Sequence, residues 1–132
     1  MKVIGLDGKE YSWSIHNGNI NGNPSSNHLR ARILLAKLYP FDKISEELQI
    51  PSTRLSCDFF VPTPKLMVEV HGEQHYEYVH IFHKNKMNYF KGKIRDRKKI
   101  DFCNTNFITY VELPYGETDS EWESRIRNAV TS

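Results

Sequence analysis

Two short apolar runs separated by a tight turn constrain this chain more than any other feature, because each run carries a carboxylate near its middle. The runs are Leu55-Ser56-Cys57-Asp58-Phe59-Phe60-Val61 and Leu66-Met67-Val68-Glu69-Val70-His71, joined by Pro62-Thr63-Pro64-Lys65. Both are apolar, partly β-branched or aromatic, and bounded by prolines, which predicts the two strands of a hairpin. Folding symmetrically about Thr63 and Pro64 sets Asp58 directly opposite Glu69. Side chains alternate along a strand, so Ser56, Asp58 and Phe60 are expected on one face, and Met67, Glu69 and His71 on one face. Like charges directly across a strand pair repel, and an unpaired charge among apolar neighbours is costly. Something positive is therefore expected between them. A divalent cation is the simplest candidate, since hard cations take carboxylate oxygens.

The chain continues His71-Gly72-Glu73-Gln74-His75-Tyr76. His71 projects from the same strand face as Glu69, and Gly72 permits a sharp exit from the strand that can return Gln74 and His75 to the same place. The outer spacing is that of the zinc-protease motif H-E-x-x-H, but that motif needs a glutamate directly after the first histidine, on a continuous helix. Gly72 stands there instead and a strand leads in. A histidine near neutrality serves better as the base that takes a proton from water, with His75 in that role and His71 as the alternate.

Taken together, Asp58-Phe59-Phe60, Glu69-x-His71-Gly72-x-Gln74-His75 and Arg95-Asp96-x-x-Lys99 resemble the PD-(D/E)XK nuclease superfamily. They look most like its very-short-patch-repair-like branch and phage homing endonucleases with an E-D-x-H-D set. The resemblance runs from about Ser25 to the C-terminus. It implies an α/β fold with an αβββαβ core, a mixed central sheet flanked by helices, and Mg²⁺-dependent cleavage of double-stranded DNA, with Mn²⁺ as a substitute ion. It implies Asp58 and Glu69 as metal ligands, Asp96 as an additional acid and Lys99 as a phosphate contact. Two positions depart from the pattern. His71 stands where the triad's lysine is expected, with Lys98 or Lys99 reaching in from the helix as the alternative. His28 stands where a first-helix glutamate is often found, with Glu46 and Glu47 as other candidates.

The net charge of +2 over 132 residues is ordinary, but its distribution is not. From Lys84 to Lys99 the chain carries Lys84, Lys86, Lys91, Lys93, Arg95, Arg97, Lys98 and Lys99 against Asp96 alone. A basic block beside a carboxylate pair suits phosphate contact; the alternative is a solvated helix face. Cys57 and Cys103 fall in predicted core elements without a CxxC partner, so buried, reduced thiols are expected. No apolar run approaches the ~20 residues of a membrane span, and the first residues lack a signal peptide's pattern. The expectation is a cytoplasmic protein, in a bacterial host cell if phage-encoded.

Along the chain, residues 1–24 read as a hairpin (Lys2–Leu6 and Tyr11–Ile15) and an Asn/Gly-rich linker appended to a core of residues 25–132. A helix is expected from Ser25–Asn27 to about Tyr39, with Leu29, Ile33, Ala36 and Leu38 inward, then a short helical turn over Asp42–Gln49. After the central hairpin, a basic helix is expected over Lys91–Asn104, with Asp96, Ile100 and Cys103 on one inward stripe. A strand over Phe107–Leu113 and a final helix opened by the capping box Thr118-x-x-Glu121 complete the reading. The function expected is a site-directed homing endonuclease, acting as a homo-oligomer (dimer or tetramer). A DNA-repair nicking nuclease and an inactive DNA-binding module of the same fold are the alternatives.

Overall fold

The computed structural model describes residues 1–16, 24–72 and 83–131, and over 83–89 the backbone alone. The elements are β1 (Lys2–Ile4), β2 (Glu10–Ser12), α1 (Ser26–Leu38), β3 (Ser45–Gln49), β4 (Ser56–Val61), β5 (Leu66–His71), α2 (His83–Thr105), β6 (Thr109–Pro114) and α3 (Asp119–Thr131). The chain is thus a mixed α/β protein with an N-terminal hairpin. Its main sheet has the order β3-β4-β5-β6. The β3/β4 and β4/β5 pairs are antiparallel and β5/β6 is parallel. A parallel pair needs a long crossover, which α2 supplies.

The sheet is covered on both faces, which is why β5 reads as a nearly unbroken apolar run. On one face, Ala31, Leu34 and Leu35 of α1 and Trp122 and Ile126 of α3 pack against Phe59, Leu66 and Val68. On the other, Phe102 and Cys103 of α2 and Val3 and Trp13 of the N-terminal segment pack against Phe60 and Met67. The hairpin is therefore docked into the core. Asn106 fixes it to the end of α2, accepting the Ile4 N–H at 2.7 Å and donating to the Ile4 carbonyl at 2.9 Å. The expected capping box forms: Thr118 Oγ1 accepts the Glu121 N–H and Glu121 Oε1 accepts the Thr118 N–H. Ser25 caps α1 by accepting the His28 N–H at 3.1 Å.

Two local expectations fail for identifiable reasons. Asp42–Gln49 was expected to turn helically, since Glu, Leu and Gln favour helices. Residues 45–49 instead form the edge strand β3, where pairing with β4 overrides that weak preference. In α1, Leu29 and Ile33 face solvent and Ala36 is exposed, while His28, Ala31, Leu34 and Leu35 are buried. This helix has apolar residues on more than one side, so periodicity alone cannot choose its rotation. His28 and Arg32, one turn apart, both bond Glu46 of β3, and this turns their side of the helix inward. The basic helix also begins earlier than expected, at His83.

Candidate catalytic cleft

The turn at Pro62–Lys65 sets β4 against β5 in the symmetric register, pairing Val61 with Leu66, Phe60 with Met67 and Phe59 with Val68. One step further along this register Asp58 meets Glu69, and there the backbone ladder gives way. The Asp58 N–H donates to Glu69 Oε2 at 2.7 Å, and the Val70 N–H donates to Asp58 Oδ2 at 2.8 Å. Each carboxylate takes an N–H from the opposite strand, and such charge-assisted bonds are among the stronger ones.

The alternation expected through Asp58 also resets. Phe59 packs toward α1 and Phe60 toward α2, but Cys57 also lies on the α2 side. Residues 57 and 59 would share a face in a regular strand. The neighbouring strand is distorted at the same level: Glu47 has a φ of 52°, Glu46 reaches α1, and Leu48 packs on the α2 side. The shared face expected for Ser56, Asp58 and Phe60 is thereby broken. On β5 the expected face holds: Met67 meets Cys103, Glu69 meets Lys99 and His71 meets Asp96, all from α2.

Helix α2 completes the cleft. Asp96 and Lys99 both point inward, as expected for Asp96. The Lys99 ammonium is ion-paired with Glu69 Oε1. This is the positive charge that the facing carboxylates call for, and it comes from the helix rather than from position 71. His71 is buried between two acids, with Nδ1 3.3 Å from Glu112 Oε2 and Nε2 3.9 Å from Asp96 Oδ1. Glu112 is the strand partner of Glu69 on β6. Glu112 is not among the sequence candidates, although a lone acid between Val111 and Leu113 carries the same signal that marks Glu69.

Burial pushes the Glu69 carboxyl up, and the Asp58 charge adds to this. The Lys99 charge and hydrogen bond oppose both, leaving Glu69 at about 7. Lys99 is raised on balance: burial lowers it, but the charge and hydrogen bond of Glu69 outweigh that. The His71 hydrogen bond holds Glu112 below the ordinary carboxylate range. Burial raises the Cys57 and Cys103 thiols, Cys103 to about 12, and both are buried and free, as expected.

Arg54, Ser56, Asp58, Glu69, His71, Arg95, Asp96 and Lys99 line a cleft of about 350 Å³. A larger cavity of about 420 Å³ lies between α1 and α3. Its charges are matched there, Arg30 with Asp119 and Lys37 with Glu123, and none of the sequence-predicted site residues line it. Among the described residues no three acidic, histidine or cysteine side chains converge as a metal cage. Mg²⁺ does not require one: it keeps several waters and binds through one or two carboxylates plus substrate phosphates. Asp58 and Glu69, mutually repelling and supplying hard oxygen donors, fit such an ion.

The remaining sequence candidates divide. His28 lies outside this cleft: its Nε2 is 2.8 Å from Glu46 Oε1 and its ring stacks on Phe59 at 4.5 Å. Arg32 holds the same Glu46 by two bonds of 2.9 Å. Burial raises the Glu46 carboxyl, but Arg32 and His28 outweigh it and leave it lowered. Lys91, Lys93, Arg95 and Lys98 are exposed on α2. His75 and Gln74, and the side chains of Lys84 and Lys86, lie outside the described residues. So does most of the linker expected before α1.

No family model matches the chain, and no solved structure does. Viral proteins do. The chain is 42% identical over 65 residues to the uncharacterized protein 307L of Invertebrate iridescent virus 6, covering 49% of this chain and 33% of that protein. It is 38% identical over 66 residues to protein 033L of Invertebrate iridescent virus 3, covering 50% and 34%. It is 37% identical over 68 residues to protein 094L of Frog virus 3, covering 51% and 44%. The matched chain thus spans less than half the length of each of these curated relatives. Among the described residues no helix is long and apolar enough to cross a membrane.

Proposed function

We propose that the chain is a metal-dependent DNA endonuclease of the PD-(D/E)XK kind. One observation carries the reading: Asp58 and Glu69 face each other where β4 and β5 part, with Lys99 on Glu69. The element order α1-β3-β4-β5-α2-β6 and the exposed basic face of α2 support it. Asp58 and Glu69 would hold Mg²⁺, which when bound supplies a Lewis acid for the phosphoryl oxygen. The chain's own residues do the rest. Lys99 keeps a compact positive charge beside the carboxylates, where charge builds on the phosphoryl group. Arg95, Lys91 and Lys98 hold the backbone to either side of the scissile bond. His71, oriented through Nδ1 by Glu112, is the proton acceptor for the attacking water.

The viral origin of the relatives agrees with a cutter carried on a viral or mobile genome, and a site-directed homing activity is the finer form of this proposal. Cutting both strands takes two such clefts, which a homo-oligomer would supply.

A second reading has its own support. Both Glu69 oxygens are already bonded, one to Lys99 and one to the Asp58 N–H, as suits a DNA-binding module that no longer cuts. Supercoiled plasmid incubated with the purified chain separates the two. A nuclease nicks or linearises it in Mg²⁺ and leaves it intact with excess chelator. A binding module retards it on a gel under both conditions without cutting.

A further inference from the structure

We infer that Arg54, on the turn between β3 and β4, is a phosphate-gripping residue that holds the DNA backbone from outside the basic helix; this rests on the cleft being a DNA site. The arginines of the chain sort sharply. Arg30, Arg32, Arg97, Arg125 and Arg127 each hold a carboxylate, of Asp119, Glu46, Asp101, Glu117 and Glu123 respectively. Among the described residues Arg54 and Arg95 hold none, and both line the cleft of Asp58, Glu69 and Lys99. Structural arginines find acids, as the other five do. Guanidinium groups kept without one at the mouth of a cleft are available for an anion that accepts two parallel hydrogen bonds, and a phosphodiester does.

The mount of Arg54 is rigid. The Ile50 N–H donates to the Leu55 carbonyl at 2.8 Å. Thr53 Oγ1 donates to the Ile50 carbonyl at 2.8 Å and accepts the Leu55 N–H at 3.0 Å. Gln49 Nε2 donates to the Thr53 carbonyl at 2.9 Å. Ser52 sits in the left-handed region, with a φ of 66°. The N-terminal segment braces the turn from behind. Trp13 Nε1 donates to the Gln49 carbonyl at 2.8 Å, and a Cβ on Gly5 would fall 2.8 Å from Ser52 Oγ, an approach that only glycine permits. The hairpin thereby acquires a role beyond packing: it holds the Arg54 turn in place. The backbone that carries Arg54 is thus already ordered before anything binds, and only the exposed side chain remains to be fixed.

The test is equilibrium binding of a short duplex DNA by the full chain, in chelator, across a salt series. Arg54→Ala is expected to weaken binding and to lower the slope of log K against log salt by about 0.9, one phosphate contact. Between ~50 and ~200 mM salt the loss of affinity then shrinks by about 3.5-fold, which is 4 raised to that slope change. Arg54→Lys, which keeps the charge but not the fork, is expected to retain the slope with weakened affinity. Arg54 is exposed and makes none of the turn's bonds, and an unchanged melting temperature verifies that the variants fold. Wild-type affinity and slope for Arg54→Ala overturn the inference while leaving the nuclease reading intact. Loss of the contact in a protein that never cuts plasmid in Mg²⁺ sustains the inference and removes the nuclease.

Discussion

Asp58→Asn and Glu69→Gln are each expected to reduce plasmid cleavage in Mg²⁺ by roughly 10²–10³-fold, the scale on which losing a transition-state charge contact acts. DNA binding in chelator should remain. Each substitution keeps the shape of the side chain and an oxygen for the strand N–H it caps, so folding is expected to survive. Each removes one of the two charges that make the site attractive to a cation. The effects should not add, because the carboxylates act as one unit and either loss disables it. Agarose-gel cleavage time courses on both variants and their double mutant measure this. A double mutant no worse than either single is the expected result, and a variant that cuts at the wild-type rate would exclude that carboxylate from catalysis.

The second large effect distinguishes two adjacent lysines. Lys99→Met is expected to slow cleavage by about 10²–10³-fold, whereas Lys98→Met should change it only a few-fold. Lys99 is ion-paired with Glu69 inside the cleft, while Lys98 is exposed on the outer face of the same helix. Methionine keeps most of the apolar stem that lysine buries. Without the ammonium, Glu69 loses the charge that holds its carboxyl down and keeps its proton to higher pH. Cleavage by Lys99→Met should consequently recover in part as pH rises, and a wild-type pH profile would show that Lys99 acts on the phosphate alone.

How much of this was legible in the sequence depended on whether the local pattern had one solution or several. The register of Asp58 and Glu69 was legible because the runs are symmetric about Thr63 and Pro64, and alternation on β5 then placed Glu69 and His71 on the α2 side. The inward placement of Asp96 was legible because Cys103 lies two turns on, and charges otherwise crowd that helix. The rotation of α1 was not, since Leu29 and Ile33 compete with Ala31, Leu34 and Leu35. The choice is made by Glu46, which is distant in sequence and bonded to His28 and Arg32. Residues 45–49 were illegible for the same reason: their helix-forming side chains yield to strand pairing that only tertiary contact supplies. The reset of alternation at Asp58 had no signal at all, because a glutamate with positive φ at position 47 is not marked by its residue type. Glu112 carries the signal of Glu69, an acid between apolar strand residues, whereas Arg54 is a single charge in a turn that no pattern marks. What singles out Arg54 is that the other described arginines outside the cleft all have acids, a fact of geometry rather than of pattern.

Calorimetric titration of Mg²⁺ into the wild-type chain and into Asp58→Asn reads whether Asp58 and Glu69 together hold a divalent cation. Burial and the Asp58 charge push the Glu69 carboxyl up to about 7 against an ordinary 4.5. The folded chain thus keeps a proton that the unfolded chain has lost across that window. This group's contribution to stability therefore falls as pH rises from about 4.5 to about 7, and is level above. A cation binds the charged carboxylate, so below pH 7 its binding must expel that proton. Mg²⁺ affinity is expected to rise by up to about tenfold per pH unit toward 7 and then level off. Proton release, read from buffers of different ionisation heat, is expected below pH 7 and not well above it, with no binding by Asp58→Asn. Equal Mg²⁺ binding by wild type and Asp58→Asn, or binding without proton release at pH 6, would contradict joint binding by Asp58 and Glu69.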